Sequence, residues 1–268
     1  MTLTVWSDFA CPYCYIGETR LQNAIEELGL QDQVTIDFRA FELDPTASKE
    51  VVSSTPERFA KKYRLSLAGA KEQIEQISSL GRELGIDFNY ATTQYSNTRD
   101  AHRLMKLAEA KYDRETVGRL NEALFKAYFV ENLVLADHKV LLDKAVGVGM
   151  NEVEVREVLE SDKYDDEVRF DEREAMMRGV HGVPYIVFNG DFAVPGAMTT
   201  EGFKSALKRE LKKQEKAQDE TEQTTGERPH QCGPDGCELQ NSKRSVNRLI
   251  VQNHRLDVIF NYWKNVAC

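Results

Sequence analysis

The chain has 268 residues, 41% hydrophobic and 29% charged, with a formal net charge of −9: an ordinary globular composition, long enough for one large domain or two modest ones. The acidic balance argues against nucleic acid or an anionic membrane surface as the main partner and does not favour acidic substrates. No apolar stretch approaches the roughly 20 residues of a membrane span, and the amino terminus lacks a basic-then-apolar export pattern, so a cytoplasmic location is the expectation.

In chain order, the apolar run Leu3-Thr4-Val5-Trp6 predicts a strand, and Ser7-Asp8-Phe9-Ala10 carries it to Cys11-Pro12-Tyr13-Cys14. A segment of helical period follows, with Ile16, Leu21, Ile25 and Leu28 on one face, stopping at Gly29. This spacing puts Cys11 at the half-in first position of the helix and Pro12 at N1, where its missing N–H costs nothing. The unpaired N–H groups and positive dipole end would then face the Cys11 sulfur. That effect supplies at most about 2 kcal/mol, enough to move a thiol from about 8.5 towards about 7. Cys11 is the candidate attacking thiol, and Cys14, one turn deeper on the same face, the buried resolving thiol. A CxxC pair is also compatible with half a zinc site or two structural thiols, but no further Cys or His lies nearby in sequence to complete a zinc set.

Val34-Thr35-Ile36-Asp37-Phe38-Arg39 alternates as a half-buried strand. A long stretch without strand character follows, with helices read at about 56–65, 69–84, 97–112, 114–130, 137–147, 151–160 and 162–178. Thr55 before Pro56 and the Asn151-x-x-Glu154 pattern read as helix starts. The stripes that include Leu104, Met105, Leu124, Phe125 and Tyr128 read as helical packing.

Strand character returns at Pro184-Tyr185-Ile186-Val187-Phe188 and at Asp191-Phe192-Ala193-Val194, separated by the hairpin signal Asn189-Gly190. A helix then carries Phe203, Leu207 and Leu211 on one face. The pattern βαβ, helices, ββα predicts an α/β thioredoxin-like fold interrupted by an all-helical insertion: 1–54 and 181–215 for the two thioredoxin parts, 55–180 for the insertion. Residues 216–268 read as a linker and a tail with Cys-x4-Cys. A proline opening a central strand is out of place in a ladder, but a cis-proline loop facing the CxxC accommodates it. Val183 beside Pro184 would then hold an extended substrate by its main chain. His181 reads as a solvent-facing loop residue.

The five cysteines fall as Cys11/Cys14, Cys232/Cys237 and Cys268, a grouping that suits catalytic or metal-binding thiols better than a secreted disulfide framework. Cys232-Gly233-Pro234-Asp235-Gly236-Cys237 makes a tight turn able to bring two sulfurs together. An auxiliary redox pair, a metal site with His230 that lacks a fourth ligand, and a stabilising turn all fit it. From Lys243 the tail is basic and Asn-rich with an apolar run, compatible with an added helix, an added strand or a processing remnant.

Three separated motifs, Asp8-Phe9-Ala10-Cys11-Pro12-Tyr13-Cys14-Tyr15-Ile16-Gly17, Asn97-Thr98-Arg99-Asp100-Ala101-His102-Arg103-Leu104 and Gly182-Val183-Pro184-Tyr185, resemble the FrnE-like subgroup of the DsbA family of thiol-disulfide oxidoreductases over roughly residues 1–215. The resemblance implies catalytic Cys11, Cys14 and cis-Pro184, with Pro12, Tyr13 and Val183 contacting substrate, and no cofactor. Some FrnE-like proteins resemble this chain in a second Cys-x4-Cys pair, which implies a relay through Cys232 and Cys237. Tyr13 stands where secreted DsbA enzymes carry a histidine, so a potential between those of thioredoxin and DsbA, about −270 and about −120 mV, is expected. The implied partners are protein thiols and disulfides, with glutathione or a thioredoxin-type reductant for recycling. Two other classes share features: glutathione-dependent kappa-class transferases or chromene-carboxylate isomerases, which are similar in architecture but generally carry serine at the first position, and a non-catalytic chaperone or adaptor.

Overall fold

Four strands and nine helices make up the described part of the chain, residues 1–225 of a computed structural model. In order they are β1 (Thr2–Ser7), α1 (Pro12–Glu27), β2 (Thr35–Ala40), α2 (Thr55–Tyr63), α3 (Leu67–Arg82), a 3-10 turn (Tyr90–Thr92), α4 (Arg99–Lys111), α5 (Arg114–Phe129), α6 (His138–Gly147), α7 (Glu152–Leu159), α8 (Asp165–Met177), β3 (Tyr185–Phe188), β4 (Phe192–Pro195) and α9 (Thr200–Thr225). His230, Cys232, Cys237, Cys268 and the basic tail lie outside the described residues. Residues 1–208 form one compact unit; from Arg209 onward α9 continues as helix to Thr225.

The sheet runs β2-β1-β3-β4. β1 pairs in parallel with β2, from Thr2 opposite Thr35 to Ser7 opposite Ala40. Parallel neighbours need a crossover, and α1 is that crossover; it ends where Gly29 takes a φ of 65° and the Leu30 N–H reaches back to Ile25 O at 3.0 Å. β3 runs antiparallel to both β1 and β4. Asn189 and Gly190 both take positive φ, 49° and 78°, as the twist of a tight hairpin requires.

The outer edge of β2 is capped by side chains from the helical segment. The Phe38 N–H donates to Glu109 Oε1 at 3.1 Å and the Ala40 N–H to Asp171 Oδ2 at 3.0 Å, while Lys106 Nζ donates to Phe38 O at 2.8 Å. Lys106 also pairs with Asp171 at 2.6 Å. α4 packs on α5, α7 and α8, and α8 on β2. One core joins these helices to the sheet: Trp6, Tyr15 and Ile16 share it with Phe88, Leu104, Phe125 and Phe129.

The helix starts show where local reading succeeds and where it slips by a residue. Asn151 Oδ1 accepts the Val153 and Glu154 N–H groups at 2.9 and 3.3 Å and caps α7. For α2 the cap is Ser54, not Thr55. Glu57 lies three residues beyond Ser54, so the pair closes a capping box, and Thr55 Oγ1 turns inward to donate to Thr93 O at 2.9 Å.

Candidate active site

Cys11 is the N-cap residue of α1, with extended backbone (φ −93°, ψ 114°) and proline next in line. Its own N–H donates to Asp8 O at 3.0 Å, and its carbonyl accepts the Cys14 N–H at 3.1 Å. Cys11 and Cys14 lie 3.4 Å apart as thiols, both fully buried. Burial of Cys11 as well as Cys14 follows from what lies across from the helix: the Val183–Pro184 bond is cis, and the Cys11 thiol donates to Val183 O at 3.5 Å. Pro184 O accepts the Gly196 N–H at 2.7 Å, which ties this loop to the start of the β4–α9 connection. Pro12 is buried and Tyr13 half-buried, while His181 is exposed.

Behind Cys14 runs a polar chain. Ser7, the last residue of β1, donates its hydroxyl to Glu18 Oε1 at 2.5 Å, and Asn121 Nδ2 of α5 donates to Glu18 Oε2 at 2.7 Å. Burial pushes the Glu18 carboxyl up to about 7, against the pull of those two donors, with Glu122 adding repulsion. Burial also pushes the Cys14 thiol up; contact with Cys11 opposes this, the Glu18 charge reinforces it, and Ser7 and the Asp8 main chain oppose it again without reversing the outcome. Glu18 and Asn121 also line a cleft of about 1200 Å³ between α1 and α5, so this chain leads from the deeper thiol to a solvent-connected space.

Asp8, three residues before Cys11, is 2% exposed. Its Oδ1 accepts the Ala10 N–H and the Thr98 hydroxyl, each at 3.0 Å, and its Oδ2 accepts the Leu43 N–H at 2.7 Å. His102 Nε2 stands 3.8 Å from Oδ1. Burial pushes this carboxyl up, but the His102 imidazole and the Leu43 and Ala10 N–H groups outweigh it and hold Asp8 below the usual carboxylate range. The Asn97–His102 segment therefore bolts the loop before Cys11 to the helical segment. Arg99 extends the tie to Glu42 at 2.6 Å, and Asn97 Nδ2 donates to Glu42 Oε1 at 3.2 Å.

The structure brings Cys11, Cys14, Pro12, Tyr13, Val183 and Pro184 to one place; Cys232 and Cys237 fall outside the described residues. Sequence reasoning did not single out Glu18 or Ser7. A signal for Glu18 was present, since a carboxylate four residues after Cys14 shares its helix face, but its partners come from β1 and α5. Among the described residues no group of three or more His, Cys, Asp or Glu side chains is arranged to hold a metal ion, and no helix is long and apolar enough to cross a membrane.

A family model described as DSBA-like thioredoxin domain matches residues 2–208. The crystal structure of "probable DsbA oxidoreductase SCO1869" from Streptomyces coelicolor is similar at 32% identity and a TM-score of 0.73, covering 90% of this chain and all of that one. Bacillus subtilis YwbO is 25% identical over 213 residues, 79% of this chain and 98% of its own length. The cytosolic disulfide reductase DsbM from Pseudomonas aeruginosa shares the fold, with a TM-score of 0.54 at 15% identity over 79% of this chain and 99% of that one.

Proposed function

We propose that this chain, which belongs to the DSBA-like thioredoxin domain family, is a dithiol-disulfide oxidoreductase acting on protein thiols through Cys11 and Cys14. The observation that carries this reading is a thiol at a helix N-cap, 3.4 Å from its partner and facing the Val183 carbonyl at 3.5 Å.

Cys11, as thiolate, attacks one sulfur of a substrate disulfide; an S–S bond forms to Cys11 and the other substrate sulfur leaves as a thiolate. Without its proton Cys11 no longer donates to Val183 O, which leaves that carbonyl to accept a substrate N–H, as in strand addition. Cys14 then passes its proton by way of Ser7 to Glu18 and attacks Cys11. The mixed disulfide breaks, the substrate leaves reduced by two electrons, and the enzyme holds Cys11–Cys14 as a disulfide. Run backwards, the same steps oxidise a substrate dithiol, and run in both directions they isomerise. Glu18, held at about 7, is a suitable proton acceptor near neutral pH. The cis-Pro184 loop, with Pro12 and Tyr13, forms the substrate-facing wall. We place the protein in the FrnE-like subgroup and in the cytoplasm, with no bound cofactor, with glutathione or a thioredoxin-type reductant recycling the pair and with Cys232/Cys237 as an auxiliary pair.

A Cys14→Ala variant expressed in cells tests the reading by retaining mixed disulfides on Cys11. Protein conjugates that disappear when Cys11→Ser is added are the expected result. Glutathione as the sole adduct would shift the assignment to the transferase class, and absence of any adduct would overturn it.

A further inference from the structure

Gly17 is buried inside α1, one turn beyond Cys14, and its φ is not in the left-handed region. The backbone there could carry any residue, and glycine is the poorest helix former apart from proline, so conformation does not account for it. Space does. A β-carbon at position 17 would stand 3.1 Å from Ala197 Cβ, 3.2 Å from Pro184 Cγ and 3.3 Å from Ala197 Cα. All three contacts are tighter than ordinary van der Waals separation. Gly118 in α5 is the contrast: a β-carbon there meets nothing within 4 Å.

Pro184 and Ala197 belong to segments already joined by the Gly196 N–H to Pro184 O bond of 2.7 Å, so they move together. Val183 O, the partner of the Cys11 thiol, is the residue before Pro184. A push from position 17 is therefore delivered to the carbonyl that faces the attacking sulfur. We infer that Gly17 is a positioning residue: its missing side chain lets the Pro184 loop and Ala197 seat directly on the α1 backbone, and this close approach sets the distance between Val183 O and the Cys11 sulfur. The inference rests on the oxidoreductase reading and specifies which residue fixes the geometry of that site.

The test compares wild type with Gly17→Ala, Gly17→Ala/Ala197→Gly and the helix control Gly118→Ala. It measures turnover of a peptide disulfide, iodoacetamide alkylation of Cys11 and thermal unfolding. In Gly17→Ala, KM for the peptide should rise roughly three- to tenfold with a smaller change in kcat, because a displacement of a few tenths of an ångström is a fraction of the 1 Å shift that costs about a hundredfold. The Cys11 alkylation rate should change with it. Removing the Ala197 methyl, the tightest contact, should recover much of the loss, and Gly118→Ala should match wild type in KM and alkylation rate. Wild-type KM and alkylation rate in Gly17→Ala would overturn the inference, as would a folded double variant no better than the single one. If Gly17→Ala fails to fold, the double variant decides alone: wild-type parameters support the contact and persistently high KM refutes it. Lack of turnover by wild type itself would overturn the oxidoreductase reading, while alkylation would still report whether position 17 acts on Cys11.

Discussion

Two carboxylates near the thiol pair, Asp8 fully buried and Glu18 half-buried, stand in opposite states. Asp8 collects two backbone N–H groups, the Thr98 hydroxyl and the neighbouring His102, whereas Glu18 has only the Ser7 hydroxyl and the Asn121 amide and faces a second acid, Glu122. Burial acts on both in the same direction. Donor number and neighbouring charge decide the outcome: Asp8 stays an anion that holds the loop, and Glu18, at about 7, can take and return a proton.

The harshest way to break this contrast is Asp8→Ala, which leaves the Ala10 and Leu43 N–H groups and the Thr98 hydroxyl without an acceptor. A loss of about 3–5 kcal/mol in urea unfolding is expected, and a loss below about 1 kcal/mol would show that the loop does not depend on this bolt. Glu18→Gln sharpens the other half. It should slow release of the mixed disulfide about a hundredfold near neutral pH while sparing the first attack, as read by stopped-flow trapping. It should also change the pH dependence of stability. Between about 4.5 and about 7 the folded chain keeps the Glu18 proton that the unfolded chain has lost, so stability falls as pH rises through that window. Glu42, also pushed up to about 7 by burial against the pull of His102 and Arg99, has the same sign and should leave a residual slope in the Gln variant. Asp8 has the opposite sign, its contribution being lost as pH falls through its lowered folded value. Tyr15→Phe is the mildest probe. It removes the bond from Tyr15 Oη to Glu122 Oε1 at 3.0 Å but keeps the ring stacked on Phe125 at 5.0 Å, so a cost of about 0.5–1 kcal/mol is expected.

What was legible in the sequence was local. Cys11 before Pro12, Asn189-Gly190 and the helix periods are decided by neighbours within a few positions, and the elements follow them. The 3-10 turn at Tyr90–Thr92 carries no such signal and was not anticipated. Ser54 took the cap because a carboxylate happened to lie at the right offset. The roles of Asp8 and Glu18 were not readable, because Leu43, Thr98, His102 and Asn121 reach them across 35 to 103 positions of chain. The motif containing Thr98 and His102 was visible as a pattern, but its use as a brace for the loop needed the fold.

The plug of Glu109, Lys106 and Asp171 on the rim of β2 has a consequence for self-association. An outer strand with bare amides and carbonyls is a template for strands of other chains, and here the helical segment occupies those groups with its own side chains. Trimming the chain to its thioredoxin-like parts would unmask a sticky border on the sheet, and such a fragment should aggregate.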